Sequence, residues 1–258
     1  MQSVDFFIRH SIMELTPEQV QQYVINAPLT NGLKATANIV SPSMVVAYML
    51  GILNAIGPFF AGVLGALLFG DEYQFRTIRI LWTEGPSRLA VLASKIATLA
   101  LFFLMAMAVS CIIGLLLSLV TYRIYPIPWL PGPPSWTDWF VESGVQWAVT
   151  WTSLLLWSIF AAMVAVMTRS SLAGALAGIG YPILEQSVLD PWPIRVFLPL
   201  WNQKSTLPIA FEKVTGGMVH FEKLTGMVSL ETGLIVSAGY LLLFIGLLYF
   251  TFRHQEIT

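Results

Sequence analysis

Long apolar runs alternate with short polar connections along the chain. Four runs are long enough to cross the ~30 Å hydrocarbon layer of a membrane as helices and contain no Asp, Glu, Lys or Arg, namely 44–70, 96–120, 145–167 and 232–252. A fifth run, 172–189, is shorter and includes Pro182 and Glu185, yet it must also cross if its neighbours are to alternate in direction. The pattern therefore predicts an all-α integral membrane protein, a bundle of five transmembrane helices.

Composition supports this fold class. Hydrophobic residues make up 56% of the 258-residue chain and charged residues only 10%, and the mean hydropathy is +0.74. Soluble domains carry about 25% charged residues, and no water-soluble core could hide so much apolar surface. We therefore predict one transmembrane domain over 44–252, preceded by a segment 1–43 and followed by a short tail, 253–258.

Basic residues predict the orientation of the bundle, because loops rich in Lys and Arg stay on the cytoplasmic side. The 71–95 loop holds four of them, Arg76, Arg79, Arg88 and Lys95, whereas the 121–144 loop holds only Arg123. The 168–171 turn and the tail each add one arginine. We expect a multi-pass protein of the cell membrane with a cytoplasmic C-terminus and an extracytoplasmic segment 1–43. Helix-start signals at Thr16-Pro17 and Ser135 predict short extracytoplasmic helices.

Bond chemistry within this chain is not expected. There is no Gly-rich Lys-Ser/Thr loop for nucleotide phosphates, and the three histidines are scattered at positions 10, 220 and 254. The single cysteine, Cys111, excludes an intrachain disulfide and a thiolate metal cluster. We predict no catalytic residue, metal or cofactor. A net charge of −1 gives no basic excess for nucleic acid, so the lipid bilayer is the partner that composition implies.

The loop between the first two spans has the most informative pattern. As a helix, it places Phe75, Ile78 and Trp82 on one stripe and its arginines on another, which is typical of a helix lying on a surface. Gly85 and the following proline break this helix, and Ser87 can cap a new one that enters the second span. We predict a cytoplasmic helix-turn-helix that offers a polar face to a partner. A juxtamembrane helix merely anchored by its basic residues is the alternative.

This loop resembles the corresponding loop of ABC transporter permeases of the type-2 exporter family, including drug and antibiotic exporters. The residues that match the family pattern are Glu72, Tyr73, Thr77, Arg79, Leu81, Gly85, Ser87, Arg88 and Lys95. Arg76 departs from it, because the family usually has glycine there. The family pattern also has six spans, so this chain looks as if it lacks the first. Span order extends the resemblance over residues 44–252.

The resemblance implies a function and a set of partners. It implies a permease subunit of an ATP-driven exporter that forms the substrate pathway, with ATP hydrolysis in a separate ATP-binding cassette subunit. The matched loop residues would then be the contact with that subunit, through a cytoplasmic coupling helix. A second permease chain, identical or different, would complete the transporter. An ion-coupled secondary transporter and a non-transporting membrane scaffold are the alternatives.

A few residues within the spans are further candidates. Glu185 is ionisable and lies in an apolar run, so it has either a pathway or gating role or a simple interfacial position. Asn54, the one asparagine of the spans, is a second candidate for the pathway. Two pairs of small residues four positions apart permit close helix packing, within the chain or between subunits: Gly174 with Gly178, and Ala61 with Gly65.

Overall fold

The computed structural model describes residues 41, 44–74, 87–124, 136–185, 187, 197–203, 206 and 228–254. Five helices account for most of them: α1 (Val45–Gln74), α2 (Arg88–Ile124), α3 (Trp136–Thr168), α4 (Ser171–Leu184) and α5 (Leu230–His254). No strand occurs in these ranges. The all-α fold class is therefore confirmed. The predicted extracytoplasmic segment apart from Ser41, most of the predicted coupling helix and the 255–258 tail lie outside the described residues.

Four of the helices have the length and composition of membrane spans: α1, α2, α3 and α5. The fifth predicted run is shorter as a helix, because α4 has 14 residues and ends at Leu184 rather than at 189. At ~1.5 Å per residue it rises ~21 Å, less than the ~30 Å of a hydrocarbon layer. Pro182 lies inside α4 and has no amide hydrogen to bond the Gly178 carbonyl, and α-helix gives way to π-helix at Glu185 and Ser187.

Helix α3 is the centre of the bundle and packs against all four other helices. Of its most apolar stretch, 78% is buried, compared with 28% for α2 and 17% for α5. Its Trp157 and Leu156 are among the most deeply buried side chains in the described part of the chain. Helices α2 and α5 instead expose leucine, isoleucine and phenylalanine side chains, as expected of surfaces that face lipid.

Charged residues at or near the ends of the helices gather at one end of the bundle, which we call the charged end. They are Glu72, Arg88, Lys95, Arg169 and Arg253. Three contacts define it. Gly70 near the end of α1 packs against Ser171 at the start of α4. The Lys95 ammonium of α2 pairs with the Glu72 carboxylate of α1, and the Arg88 guanidinium of α2 reaches the last turn of α5. The five helices therefore alternate in direction.

A tight turn joins α3 to α4 at this end. The Arg169 amide donates to the Val166 carbonyl (3.3 Å), and the Ser170 amide donates to the Ala165 carbonyl (3.0 Å). These are the two hydrogen bonds of a Schellman motif, whose residue after the helix takes a left-handed conformation, and Arg169 has φ 54°. The Ser170 hydroxyl then accepts from the Ala173 amide and caps α4.

Candidate functional site

An ion pair at the charged end joins α1 to α2. Lys95 Nζ lies 2.6 Å from Glu72 Oε1, and their side chains are only 10% and 18% exposed. The ammonium also donates to the Leu68 carbonyl of α1 at 2.7 Å and lies 4.9 Å from the centre of the Phe69 ring. An anion, a carbonyl dipole and an aromatic face thus surround one cation, which is how a charge is stabilised away from water.

The first turn of α2 makes a second connection at the charged end. The Ser87 hydroxyl accepts a hydrogen bond from the Ala90 amide at 3.3 Å and so caps α2. One residue later, Arg88 Nη1 donates to the Arg253 carbonyl at 2.7 Å and lies 3.4 Å from the Phe252 carbonyl. A cation thus lies where the dipole of α5 is negative, at carbonyls that its last turn leaves unbonded.

The residues predicted to contact an ATP-binding subunit therefore fall into three groups. Glu72 and Lys95 bind each other, and Tyr73 packs against the hydrophobic core. Ser87 and Arg88 lie at the start of α2. Thr77, Arg79 and Gly85 lie outside the described residues. Residues 75–86 therefore connect two points that are both bonded to the helix bundle.

Small residues allow the helices of the bundle to approach closely. A Cβ atom added to Gly174 would lie 2.5 Å from the Ala165 Cβ of α3, and Gly178 lies against Gly62 of α1. Ala61 is 1% exposed, and a Cβ atom on Gly65 would collide with the Ser158 carbonyl of α3. In this structure, both predicted pairs of small residues lie at contacts within the chain.

Glu185 lies just after α4 and is buried, with 3% exposure. Its Oε1 accepts a hydrogen bond from the Trp201 amide at 2.9 Å. Nearby, Trp157 Nε1 donates to Gln203 Oε1 at 2.7 Å. Glu185 therefore holds segment 197–203 against the bundle, and it is not a solvated residue at an interface.

Asn54 belongs to a row of polar side chains between α1 and α3, which we call the polar seam: Asn54, Ser143, Gln146, Thr150 and Ser153. All are at least 94% buried. The Ser153 hydroxyl donates to Asn54 Oδ1 at 3.1 Å, and Gln146 Nε2 donates to the Ala47 carbonyl at 2.8 Å. Both bonds cross from α3 to α1, so the seam follows the interface of two parallel helices.

A family model described as ABC-2 family transporter protein matches residues 30–184, more than half of the chain. The chain belongs to the ABC-2 transporter family. No curated protein and no solved structure matches it. The resemblance to type-2 ABC permeases is thereby confirmed at the level of the family, and this ABC-2 chain is a multi-pass membrane protein of the transporter class.

The match ends at the last residue of α4, so α1 to α4 carry the family pattern and α5 follows it. Within the matched range lie the Glu72–Lys95 pair, Arg88 and the polar seam. The contacts of Glu185 with segment 197–203 and those of Arg88 with α5 reach residues beyond it.

The polar residues of α3 in this ABC-2 chain were missed by sequence reasoning. They lie at positions 143, 146, 150 and 153, alternately three and four apart, which puts them on one face of a helix. That spacing was a usable signal. It was missed because a span was recognised by the absence of charge, and Ser, Thr and Gln carry none.

Proposed function

We propose that this chain is the permease subunit of an ATP-driven exporter, and that a separate ATP-binding cassette subunit contacts residues 75–86 to drive it. Family membership supports a transporter component, and the chain offers no Gly-rich phosphate loop of its own. The charged end, together with the C-terminus, faces the cytoplasm in this proposal, in keeping with its basic residues. Export, rather than import, follows from the resemblance of the loop to exporter permeases.

One observation carries the coupling proposal, namely that both ends of segment 75–86 are bonded to the bundle. The preceding residues hold α2 through the Glu72–Lys95 pair, and the following residue, Arg88, holds α5 through the Arg253 carbonyl. A displacement of the segment by a partner therefore reaches three helices at once. Such contacts transmit motion only if they are stiff, and charge-assisted hydrogen bonds are the strong ones in proteins.

The proposed dimer with a second permease chain has support from the exposed faces of the bundle. Helix α2 exposes Leu101, Met105 and Ile112 among other apolar side chains, and α5 exposes Ile235 and Leu242. In a membrane these faces contact lipid or another subunit. Glycine pairs do not serve as the dimer contact in this proposal, since Gly174 and Gly178 are already used between α3, α4 and α1.

The test begins with purification of the full-length tagged chain from native membranes. We expect an ATP-binding cassette subunit to co-purify, and we expect the complex to hydrolyse ATP in proteoliposomes. Arg88→Gln removes a charge-assisted bond that is exposed to solvent and therefore worth about 1 kcal/mol. This variant should retain the ATP-binding subunit, and its permease-dependent ATP hydrolysis should fall about fivefold.

The matched control is Arg123→Gln, which changes an exposed arginine at the other end of the same helix. Its ATP hydrolysis should equal that of wild type. If no ATP-binding subunit co-purifies, the proposed function is wrong. If one co-purifies but the two variants behave alike, the ATP-driven permease stands and the coupling role of segment 75–86 fails.

A further inference from the structure

The polar seam contains more hydrogen-bonding groups than the helices use. Within the described part of the chain, Asn54 Nδ2, Ser143 Oγ, Gln146 Oε1 and Thr150 Oγ1 are buried and have no hydrogen-bond partner. A buried polar atom without a partner costs ~1–3 kcal/mol, and the cost is not repaid inside a lipid bilayer, which holds no water. Four such atoms along one interface of two membrane-spanning helices therefore call for a functional explanation.

A proline in α1 leaves a backbone carbonyl as a further hydrogen-bond acceptor beside these side chains. Pro58 lies inside α1 and is buried, and because it has no amide hydrogen it cannot bond the Asn54 carbonyl one turn earlier. Membrane helices tolerate such a break where the freed backbone group meets protein or a polar cavity. The backbone and the side chain of Asn54 thus present polar groups at the same level of the helix.

The seam has a definite chemical character, because it offers both donors and acceptors and no charge. Asn54 Nδ2 is a donor, Gln146 Oε1 is an acceptor, and the Thr150 hydroxyl can act as either. The charged side chains described in α1, Asp71 and Glu72, lie at its far end, whereas Glu142 of α3 lies directly before Ser143. From Gln146 to Ser153 the seam has no charged side chain of its own. A neutral ligand with hydroxyl or amide groups would satisfy this part of the seam, and an ion would lose its hydration there without a counter-charge.

The seam is also long enough for an extended ligand. Residues 143–153 of α3 rise ~15 Å along the helix, and the two bonds to Ala47 and Asn54 of α1 lie about 10 Å apart along it. Thr150 lies between these two bonds on the same face of α3. Its hydroxyl, unlike those of Thr98, Thr121 and Thr251, is not bonded to its own helix.

We propose that the polar seam between α1 and α3 is a binding track for the uncharged hydroxyl or amide groups of an amphiphilic substrate, exposed when the two helices separate. The proposal rests on the proposed transport function, since it names the class of substrate that the permease carries. It assigns donor and acceptor roles to Asn54, Gln146 and Thr150. The exposed apolar faces of the bundle suit the apolar part of the same molecule.

The first test uses the full-length permease alone, in proteoliposomes, so that it does not depend on an ATP-binding subunit. In a Cys111→Ala background, Thr150→Cys is treated with three methanethiosulfonate reagents of similar size that carry a hydroxyethyl, a trimethylammonioethyl or a sulfonatoethyl group. Leu156→Cys is the matched control, because Leu156 is 0% exposed on the same helix but is not part of the seam. Each labelling rate is divided by the rate at which the same reagent reacts with free cysteine in solution, which corrects for differences in reactivity among the reagents.

We expect the neutral reagent to react with Thr150→Cys about tenfold faster than with Leu156→Cys, and faster than either charged reagent does. Decyl glucoside, below its solubilising concentration, should slow this reaction, and decyltrimethylammonium should not. Equal rates at the two positions would overturn the proposal. Faster reaction of a charged reagent, or neutral access without protection by the glucoside, would overturn it as well.

The second test links the seam to transport. In the reconstituted complex, Thr150→Val should raise the decyl glucoside concentration that half-stimulates ATP hydrolysis roughly two- to tenfold, as expected for one lost hydrogen bond. Thermal stability should not fall, because no protein contact of the hydroxyl is lost. Thr98→Val makes the same chemical change at a hydroxyl that is bonded to the Ser94 carbonyl, and it should leave stimulation unchanged. A Thr150→Val response equal to wild type, or no stimulation by the glucoside, would overturn the proposal even if ATP-driven transport stands.

Discussion

At the scale of single residues, Lys95 shows how a cation is accommodated in a membrane-spanning helix. Its side chain is 10% exposed, and its ammonium meets the Glu72 carboxylate, the Leu68 carbonyl and the Phe69 ring. The ion pair connects α1 to α2 but adds little to the net free energy of folding, because desolvation of both charges offsets much of their attraction. Removing one partner is a different matter, since a charge is then left in poorly solvated surroundings.

We predict that Lys95→Met destabilises the protein by ~3 kcal/mol, because Glu72 loses its ion-pair partner while it is still largely buried. Thermal or denaturant unfolding of the purified protein in detergent measures the loss. The double variant Glu72→Gln/Lys95→Met should be more stable than Lys95→Met alone. If the separate effects of Lys95→Met and of Glu72→Gln simply add in the double variant, with coupling below ~0.5 kcal/mol, the two residues do not depend on each other as described.

Sequence reasoning located this pair only in part. Glu72 and Lys95 were both selected by the resemblance to ABC-2 permeases, but nothing in their spacing says that they meet, since a whole connection separates them. Their contact depends on the packing of α1 against α2, which is a tertiary property. Likewise, the burial of Glu185 depends on segment 197–203, whose position against α4 does not follow from local pattern.

At the scale of helices, the pairing of α1 with α3 depends on how near their backbones come. Gly65 is the closest point, because a Cβ atom there would meet the Ser158 carbonyl. Farther from the charged end, the same two helices are joined by the polar seam. One interface thus combines a close backbone contact at one level with hydrogen-bonding side chains at another.

We predict that Gly65→Ala destabilises the protein by ~2 kcal/mol, since the added methyl group must push α1 and α3 apart. Gly180→Ala is the matched control in α4, where an added Cβ atom would have nothing within 4 Å. That change should leave stability unchanged or raise it by ~0.5–1 kcal/mol, because alanine is the better helix former. Unfolding in detergent compares the two. Equal stabilities would show that the α1–α3 contact is looser than described.

The helices themselves were largely predictable. Four apolar runs without charge, and a fifth that contains Glu185, predicted the positions of the five helices. They did so because in a bilayer every backbone polar group must be bonded within a helix or a closed barrel. The end of α4 was not predictable from hydropathy, since the apolar run continues past Pro182 while the regular helix stops at Leu184. The one-sided placement of Gln146, Thr150 and Ser153 was visible in their spacing, but the identity of the helix they face was not.

At the scale of the whole molecule, the structure groups the basic helix ends without reference to a membrane. Arg88, Arg169 and Arg253 come from three separate parts of the chain, yet contacts between the helices place all of them at the charged end. The loop rule for Lys and Arg, applied to sequence alone, had assigned these same regions to the cytoplasm. Two independent arguments therefore group the same residues, one from packing and one from charge, and both bear on which face an ATP-binding subunit can reach.

We predict that the charged end is cytoplasmic. Arg169→Cys and Ser229→Cys, each in a Cys111→Ala background, place single thiols at opposite ends of the bundle, in the α3–α4 turn and just before α5. In intact cells, a thiol reagent that cannot cross membranes should label only Ser229→Cys, because its residue would then lie outside. After the membrane is made permeable, both variants should be labelled, which controls for buried or unreactive thiols.

Labelling of Arg169→Cys alone in intact cells would invert the orientation and would place segment 75–86 beyond the reach of any cytoplasmic ATP-binding subunit. Labelling of both variants in intact cells would instead show that the helices between these two positions do not cross the membrane an odd number of times, and α4, with its 14 residues, would be the first helix to reconsider.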